Sequence, residues 1–328
     1  LNTIKQERLN NQVANLDVET SENSIQESIA QIYIQILYAA ESVKVNENTL
    51  QVSIAQRDRG QELLNAGSIA KSDFAQLEAQ VSTDRYQLVT AQATLQDYKL
   101  QLKQLLELDG ENEMNIYLPV LSDENVLLPL PAKKDVYMSA LTLRPEIEAS
   151  KINVEASELG IDIAKAGYLP TISLSAGIGT NHTSGSDFTF GEQVKNGWNN
   201  SIGVSVSVPI FNNRQTKSAV QKAKLQRETS LLSLLDEQKT LYKTIEGLWL
   251  DANSAQQRYA AANEKLKSTQ ISYDLISEQF DLGMKNTVEL LTEKNNLLQA
   301  QQEQLQAKYM AILNTQLLKF YQRDKLAL

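Results

Sequence analysis

The stretch SIGVSVSVPIFNNR, residues 201–214, decides how the rest of the chain is interpreted. Apolar residues alternate along it with glycine or serine. Successive side chains of a strand point to opposite faces, so the stretch predicts a strand with one apolar face and one small, polar face. A strand of a soluble β-sandwich would show the same alternation. The surrounding sequence has to decide whether the apolar face meets lipid or the core of a soluble sandwich.

A second segment with the same alternation precedes it, TISLSAGIG at residues 171–179. Neither polar face carries a charge, whereas a soluble sheet usually presents charged side chains to water. Each segment covers about nine residues, the length of a tilted membrane-crossing strand. The sequence therefore predicts a transmembrane β-hairpin over 168–212 with an extracellular loop at 181–200. Its predicted lipid-facing residues are Ile172, Leu174, Ile178, Ile202, Val204, Val206 and Val208.

Composition excludes several classes of protein. The chain has 328 residues and a formal net charge of −9, which argues against nucleic acid as a partner. No window approaches the ~20 apolar residues of a membrane-spanning helix, so membrane insertion would have to use strands. Cysteine is absent, which removes disulfides and thiol chemistry and fits an oxidising compartment. The single histidine, His182, lies in the predicted loop, and we expect no catalytic residue, no metal site, no cofactor and no enzyme activity.

The chain contains an internal repeat with an offset of 216 residues. At this offset Gly67 in LLNAGSIAKSDF lies on Gly283 in QFDLGMKNTVEL. The triplet at 32–34 falls on the triplet at 248–250 at the same offset. Each copy reads as a helix, a tight glycine-containing turn and a second helix, so the repeat predicts two helical hairpins with tip turns at Gly67 and Gly283.

Apolar residues recur every seven positions after each turn, which predicts helices packed along a left-handed seam. The helix before Gly67 could span about 60 residues, or roughly 90 Å. An ordinary soluble coiled coil would show the same features, and it stays open at this point. The heptad positions are Phe74, Val81, Leu88, Leu95 and Leu102 in the first copy and Leu291, Leu298, Leu305 and Ile312 in the second.

These signals divide the chain into five segments. Prolines interrupt the helical pattern after the first hairpin and predict a small irregular module. The expected segments are a helical hairpin at 1–108 with its tip near 65–73, the irregular module at 109–143, a helix at 144–167 that leads to the membrane, the β-hairpin at 168–212, and a helical hairpin at 213–328 with its tip near 281–289.

Three passages resemble the outer membrane efflux protein family. They are RPEI followed by AKAGYLPTISLSAGIG, the exit VPIFNNR, and the paired turns AGSIAKSD and LGMKNTVE. The resemblance implies a mainly α fold in which long antiparallel coiled-coil hairpins form a trimeric periplasmic tunnel. Transmembrane β-hairpins would join into a twelve-stranded barrel in the outer membrane, and the module at 109–143 would be equatorial.

The resemblance also implies a function and partners. The chain would be an outer membrane channel, the passive exit duct of a tripartite efflux pump or a type I secretion system, for drugs, small molecules or secreted proteins. It would be a homotrimer in contact with outer membrane lipid. Its partners would be a periplasmic adaptor protein and an inner-membrane transporter of the RND, ABC or MFS class.

A gate at the periplasmic helix tips is a further implication of the resemblance. Glu289 takes the position of an acidic ring, Lys285 the basic gate position, and Asp73 its partner acid on the other hairpin. Phe280 stands where the family can have a tyrosine. Thr292 stands at the position of a second ring acid, and Glu293, one residue further along, would be its substitute.

One departure and one alternative accompany this interpretation. The family has two β-hairpins per subunit, so the resemblance implies a first hairpin upstream of Leu1 that this chain does not include. The alternative is a soluble or periplasmic coiled-coil scaffold or adaptor protein. An adaptor should carry a lipoyl-like β module beside a single helical hairpin, which the sequence does not show.

Overall fold

The fold is given by a computed structural model that describes residues 1–108, 114–119, 126–185 and 187–322. Its elements follow one another as two helices, two shorter helices, a β-hairpin with a small helix in its loop, and two more helices. The predicted mainly α fold with two helical hairpins is confirmed. The elements are α1 (Asn2–Asn65), α2 (Lys71–Leu105), α3 (Lys133–Leu143), α4 (Pro145–Lys165), β1 (Thr171–Gly179), α5 (Phe190–Asn196), β2 (Asn199–Ser207), α6 (Gln215–Asp281) and α7 (Thr287–Tyr321).

The two longest helices, α1 and α6, contain 64 and 67 residues. Neither contains proline, which would remove a backbone hydrogen bond and break the helix. Within the four described ranges of the chain, no helix has an apolar run long enough to cross a membrane.

The chain divides into two compact units. The first consists of residues 1–16 and 148–237, and the second of residues 17–147 and 238–328. In the first unit, the Gln6 side chain donates a hydrogen bond of 3.0 Å to the Ala156 carbonyl and joins α1 to α4. An ion pair of 2.7 Å between Arg227 and Glu158 joins α6 to α4.

The β-hairpin of the first unit is antiparallel, and its register places apolar residues opposite one another. Leu174 lies opposite Val204, and Ile172 lies opposite Val206. On the other face, Ser173 lies opposite Ser205. The two-faced hairpin inferred from the alternation of side chains is therefore present in the structure.

The hairpin differs from its predicted bounds at three points. β2 ends at Ser207, so Val208 follows the strand instead of belonging to it. Pro170 and Pro209 flank the paired residues, and proline has no N–H to extend the ladder. The predicted loop at 181–200, of which residue 186 lies outside the described residues, contains α5, and its last two residues already belong to β2.

The second unit has apolar clusters along its helices. One cluster lies among α3, the start of α4, α6 and α7 and includes Val136, Ile147, Ile245 and Leu318. Another joins α1 to α7 through Ile34, Leu37, Tyr309 and Leu313. A third packs Leu77 of α2 against Phe280 of α6 and Leu290 of α7.

Arg144, the first residue of the motif RPEI, lies in the second unit with its side chain 11% exposed. Its guanidinium pairs with Glu146 at 2.8 Å and with Glu27 of α1 at 3.1 Å. It also lies 4.2 Å from the ring centroid of Tyr321, a cation–π contact. Burial raises the pKa of Tyr321 to about 12, so its hydroxyl stays protonated and the side chain stays neutral beside the carboxylates. The arginine thus fixes the start of α4 against α1 and the end of α7.

The segment before α3 is held on α6 by side chains that donate to backbone carbonyls. Trp249 Nε1 donates to the Pro131 carbonyl at 3.1 Å. Gln256 Nε2 donates to the carbonyls of Val126 and Leu128 at 2.9 and 2.8 Å. The module at 109–143 therefore includes a segment at 126–131 that lies along α6, followed by the helix α3. Its residues 109–113 and 120–125 lie outside the described residues.

Gly60 marks a close approach of α1 to α2. A Cβ atom at this position would lie 2.3 Å from Cδ1 of Leu77. Leu77 is 1% exposed and packs against Phe280 and Leu290, so it has little room to move. The absence of a side chain at Gly60 therefore lets the two helices of the first hairpin meet.

The variant Gly60→Ala should lose stability, because the added methyl group overpacks this contact. We expect a cost of about 1–3 kcal/mol, seen as a lower midpoint of thermal unfolding followed by circular dichroism. The matched control is Gly247→Ala in α6, where no atom lies within 4 Å of the added Cβ. It should stabilise the helix by about 0.5–1 kcal/mol. An unchanged midpoint for Gly60→Ala would contradict the close approach.

Candidate functional site

The tips of the two helical hairpins have the same backbone geometry. Gly67 and Gly283 adopt φ values of 73° and 75°, in the left-handed region that glycine tolerates. The amide of each glycine donates to the carbonyl three residues earlier, at 3.0 Å to Leu64 and 2.9 Å to Phe280. The next amide reaches back five residues in each tip, at 2.8 Å. Both helices thus end in a Schellman motif.

The helices that follow the tips begin with different caps. Asn286 accepts a hydrogen bond from the Glu289 amide at 2.9 Å, and the Glu289 carboxylate accepts one from the Asn286 amide at 3.2 Å. This is a complete capping box. In the first hairpin the cap position is Ala70, which has no side-chain acceptor. Only the return bond forms there, from the Ala70 amide to Asp73 at 3.3 Å.

Lys285 and Glu289 form an ion pair at the tip of the second hairpin, with Nζ and Oε1 2.5 Å apart. Both side chains are partly exposed. The hydrogen bond from Lys285, aided by the bond from the Asn286 amide, lowers the pKa of Glu289 below its ordinary value. Within a single subunit, Glu289 therefore stays ionised to a lower pH than an ordinary glutamate does. Its carboxylate serves both as a cap and as the partner of Lys285.

The structure brings together only some of the residues that the resemblance places in the gate. Lys285 contacts Glu289, whereas the Asp73 carboxylate caps its own helix and is not paired with Lys285 among the described residues. Phe280 is 2% exposed and packs with Leu77 and Leu290. Glu293 accepts a hydrogen bond from the Ser272 hydroxyl at 3.1 Å, which joins α7 to α6.

Sequence reasoning missed a buried charged cluster close to the tips. It consists of Ser53 on α1, Asp84 on α2 and Lys294 on α7, and we call it the buried cluster. Lys294 donates to Asp84 and to Ser53, and Ser53 donates to Asp84. Gln80 donates to the second carboxylate oxygen of Asp84 at 2.9 Å. Lys294 is 3% exposed and Asp84 is 2% exposed, so the ion pair is removed from water.

Burial lowers the pKa of Lys294, and the hydrogen bond and charge of Asp84 act in the opposite direction. The sequence held a signal for this cluster. Lys294 falls between Leu290 and Leu297 on the buried stripe of α7, and Asp84 lies seven residues after Leu77 on that of α2. A charge at such a position needs a buried partner of opposite sign.

The β-hairpin offers a second candidate functional surface. Its six large apolar side chains within the strands are between 61% and 83% exposed, on a sheet of two strands. They share one face because residues two apart on a strand point to the same side. The opposite face carries Ser173, Ser175, Ser205 and glycines. No charged residue lies within either strand.

Comparison with known proteins gives a family match over more than half of the chain. Residues 136–320 match the family model described as outer membrane efflux protein. The chain is 25% identical over 294 residues to the outer membrane efflux protein BepC of Brucella suis, a match that covers 89% of this chain and 61% of BepC. It is 23% identical over 313 residues to the outer membrane protein TolC of Escherichia coli, covering 92% of this chain and 62% of TolC.

The fold is similar to that of the CmeC outer membrane channel of Campylobacter jejuni. The TM-score is 0.79 at 19% identity, and the match covers 98% of this chain and 67% of the CmeC chain. At this identity the likeness concerns the fold alone. The chain spans about three-fifths of the length of the two curated relatives.

Proposed function

The chain belongs to the outer membrane efflux protein family, and from this we propose that it is part of an outer membrane exit duct with its helical hairpins in the periplasm. The duct is a passive conduit of a tripartite efflux pump or a type I secretion system. Cargo includes drugs, other small molecules or secreted proteins. The family consists of outer membrane channels and not of enzymes, and the chain's role is conduction and not catalysis.

The observation that carries this proposal is the two-faced β-hairpin. Its apolar face is exposed in the subunit and free of charge, which suits contact with acyl chains. Its other face bears glycine, serine and threonine with Asn199 at its end, and such small or polar side chains suit the wet or crowded interior of a barrel. A soluble protein would bury such a face on a core, whereas this two-stranded sheet leaves it exposed.

A homotrimeric assembly is supported by apolar residues left exposed on the helices. Leu225 and Leu232 are seven residues apart on α6, and Leu275 of α6 is seven residues before Leu282, which directly follows the helix. Exposed apolar residues at this spacing suit the seam of a coiled coil with a further helix. Neighbouring subunits would cover them. A periplasmic adaptor and an inner-membrane RND, ABC or MFS transporter complete the proposed pump or secretion system, since the duct itself holds no energy source.

The gate of the duct lies at the tips in this proposal, with Glu289 of each subunit in an acidic ring. Three carboxylates near one axis repel one another and favour cationic cargo. The Lys285 ion pair, seen within one subunit, offsets that repulsion. The resemblance also assigns to the gate Asp73 of the first hairpin, Phe280 of α6, and Glu293, which lies one turn after Glu289 on α7. The tip turns at Gly67 and Gly283 set where the helices of the gate begin.

Charges placed on the two faces of β2 test the membrane hairpin. Val204→Lys puts a charge on the proposed lipid face at mid-strand and should cost about 2–4 kcal/mol. We expect it to abolish insertion and conductance in planar lipid bilayers. Ser205→Lys, one residue away on the other face, should insert and conduct with reduced preference for cations. Equal behaviour of the two variants would contradict a lipid-facing strand.

Loss of Lys285 tests the gate. In Lys285→Met the pKa of Glu289 should rise, because the hydrogen bond from Lys285 is lost while that from the Asn286 amide remains, and Glu289 still stays ionised at neutral pH. The unpaired carboxylates would then repel and loosen the tips, so single-channel conductance should rise severalfold, and the rise should fade as acid protonates Glu289. Lys71→Met, an exposed lysine at the other tip, is the control. Conductance unchanged by Lys285→Met would refute the assignment.

A further inference from the structure

The two helical hairpins of the subunit meet near their tips in layers of different chemistry. The layer nearest the glycine turns is apolar, with Leu77, Phe280 and Leu290. Beyond it the Gln56 amide donates to the Tyr273 hydroxyl at 2.8 Å, from α1 to α6. The buried cluster of Ser53, Asp84 and Lys294 is the next layer. It alone of the three places full charges between the hairpins.

The buried cluster connects both helices of the first hairpin to the second. Asp84 accepts from Ser53 and Lys294 through one carboxylate oxygen, so α1, α2 and α7 share a single acceptor. From the helical rise, the three residues lie about 10–20 Å along their helices from the nearest tip. The cluster is therefore close to the proposed gate without being part of it.

The cluster has no counterpart in the repeat. At the offset of 216, Lys294 corresponds to the exposed Glu78, and Asp84 corresponds to the buried Ala300. Ser53 corresponds to Thr269. The duplicated hairpins thus differ in charge at the one level where the buried ion pair forms. The pair accordingly occurs once in each subunit, between its first and second hairpins.

A buried pair of this kind resists separation. Pulling α7 away from α2 would leave Asp84 and Lys294 each without its counter-ion in a site shielded from water, and an unpaired buried charge is strongly unfavourable. Apolar contacts tolerate small sliding movements because they are not directional. An ion pair completed by a hydroxyl and an amide has one arrangement that satisfies all its groups.

We propose that the Asp84–Lys294 pair with Ser53 is a tether that keeps the two hairpins of one subunit together, so that movements of the tips hinge about this level. The mechanical part rests on the contacts described above. Its consequence for opening of the duct rests on the proposed function. Under that function the tips would move below this level while the two hairpins of one subunit stay joined at it.

The test measures the distance between the two tips of one subunit. Spin labels are attached to Ser68→Cys and Met284→Cys, which are exposed, equivalent positions of the two tips in a chain without native cysteine. Labelled subunits are diluted with unlabelled ones in the assembled protein, and double electron–electron resonance gives the distance distribution. The native tether should give a narrow distribution.

The variant Asp84→Leu with Lys294→Met replaces the tether by apolar side chains of similar length, which a helical core accepts. We expect the width of the tip distance distribution to increase at least twofold. The matched control, Lys265→Met with Glu303→Leu, removes an exposed ion pair of 2.7 Å between α6 and α7, inside the second hairpin. Its distribution should keep the native width.

A second variant covers the case in which the double replacement does not assemble. Asp84→Asn preserves the volume of the side chain but removes the counter-ion of Lys294, and it should also broaden the distribution. A native width in either variant that assembles would overturn the tether. Conductance of the same samples tests the duct separately, because the distance measurement reads the hairpins whether or not the assembly conducts.

Discussion

The alternation of side chains along two nine-residue strands is the constraint on which the rest of the structure depends. Because each strand turns every second residue to the same side, β1 and β2 together present one apolar face and one face made mainly of serine and glycine. Among the described residues, none covers the apolar face. Under the proposed function acyl chains cover it, and the long helices that enter and leave the hairpin become the wall of a conduit.

The helical part of the subunit combines a repeated backbone with unrepeated side chains. The tip turns at Gly67 and Gly283 are alike down to their hydrogen bonds, as expected of a duplication. The caps differ, since Asn286 completes a capping box and Ala70 cannot. The buried pair of Asp84 and Lys294 likewise exists only once. The repeat thus accounts for the shared backbone of the hairpins, whereas the side chains that differ between the copies determine which tip has the complete capping box and where the buried pair forms.

Much of the fold could be predicted from the sequence, for physical reasons that are specific to each element. The helices and strands follow from periodicity, and the tip turns follow from glycine at matching positions. The end of β2 at Ser207 was missed because the register places Pro170 opposite Val208, and proline has no N–H to extend the ladder, which alternation of side chains does not reveal. The helix α3 was missed because the surrounding prolines suggested irregular structure. The buried cluster was missed because a lysine on a coiled-coil stripe reads as a surface residue until its partner on another helix is known.

The most direct test of the account is the environment of each residue along β2 in the assembled protein in lipid. Single spin labels at positions 202 to 207 are exposed in turn to oxygen, which concentrates in the membrane, and to a water-soluble nickel chelate. The account predicts that collision with oxygen is high at Ile202, Val204 and Val206 and low at the residues between them, with the opposite pattern for the chelate. Uniform access of the chelate along the strand, with no alternation, would contradict it.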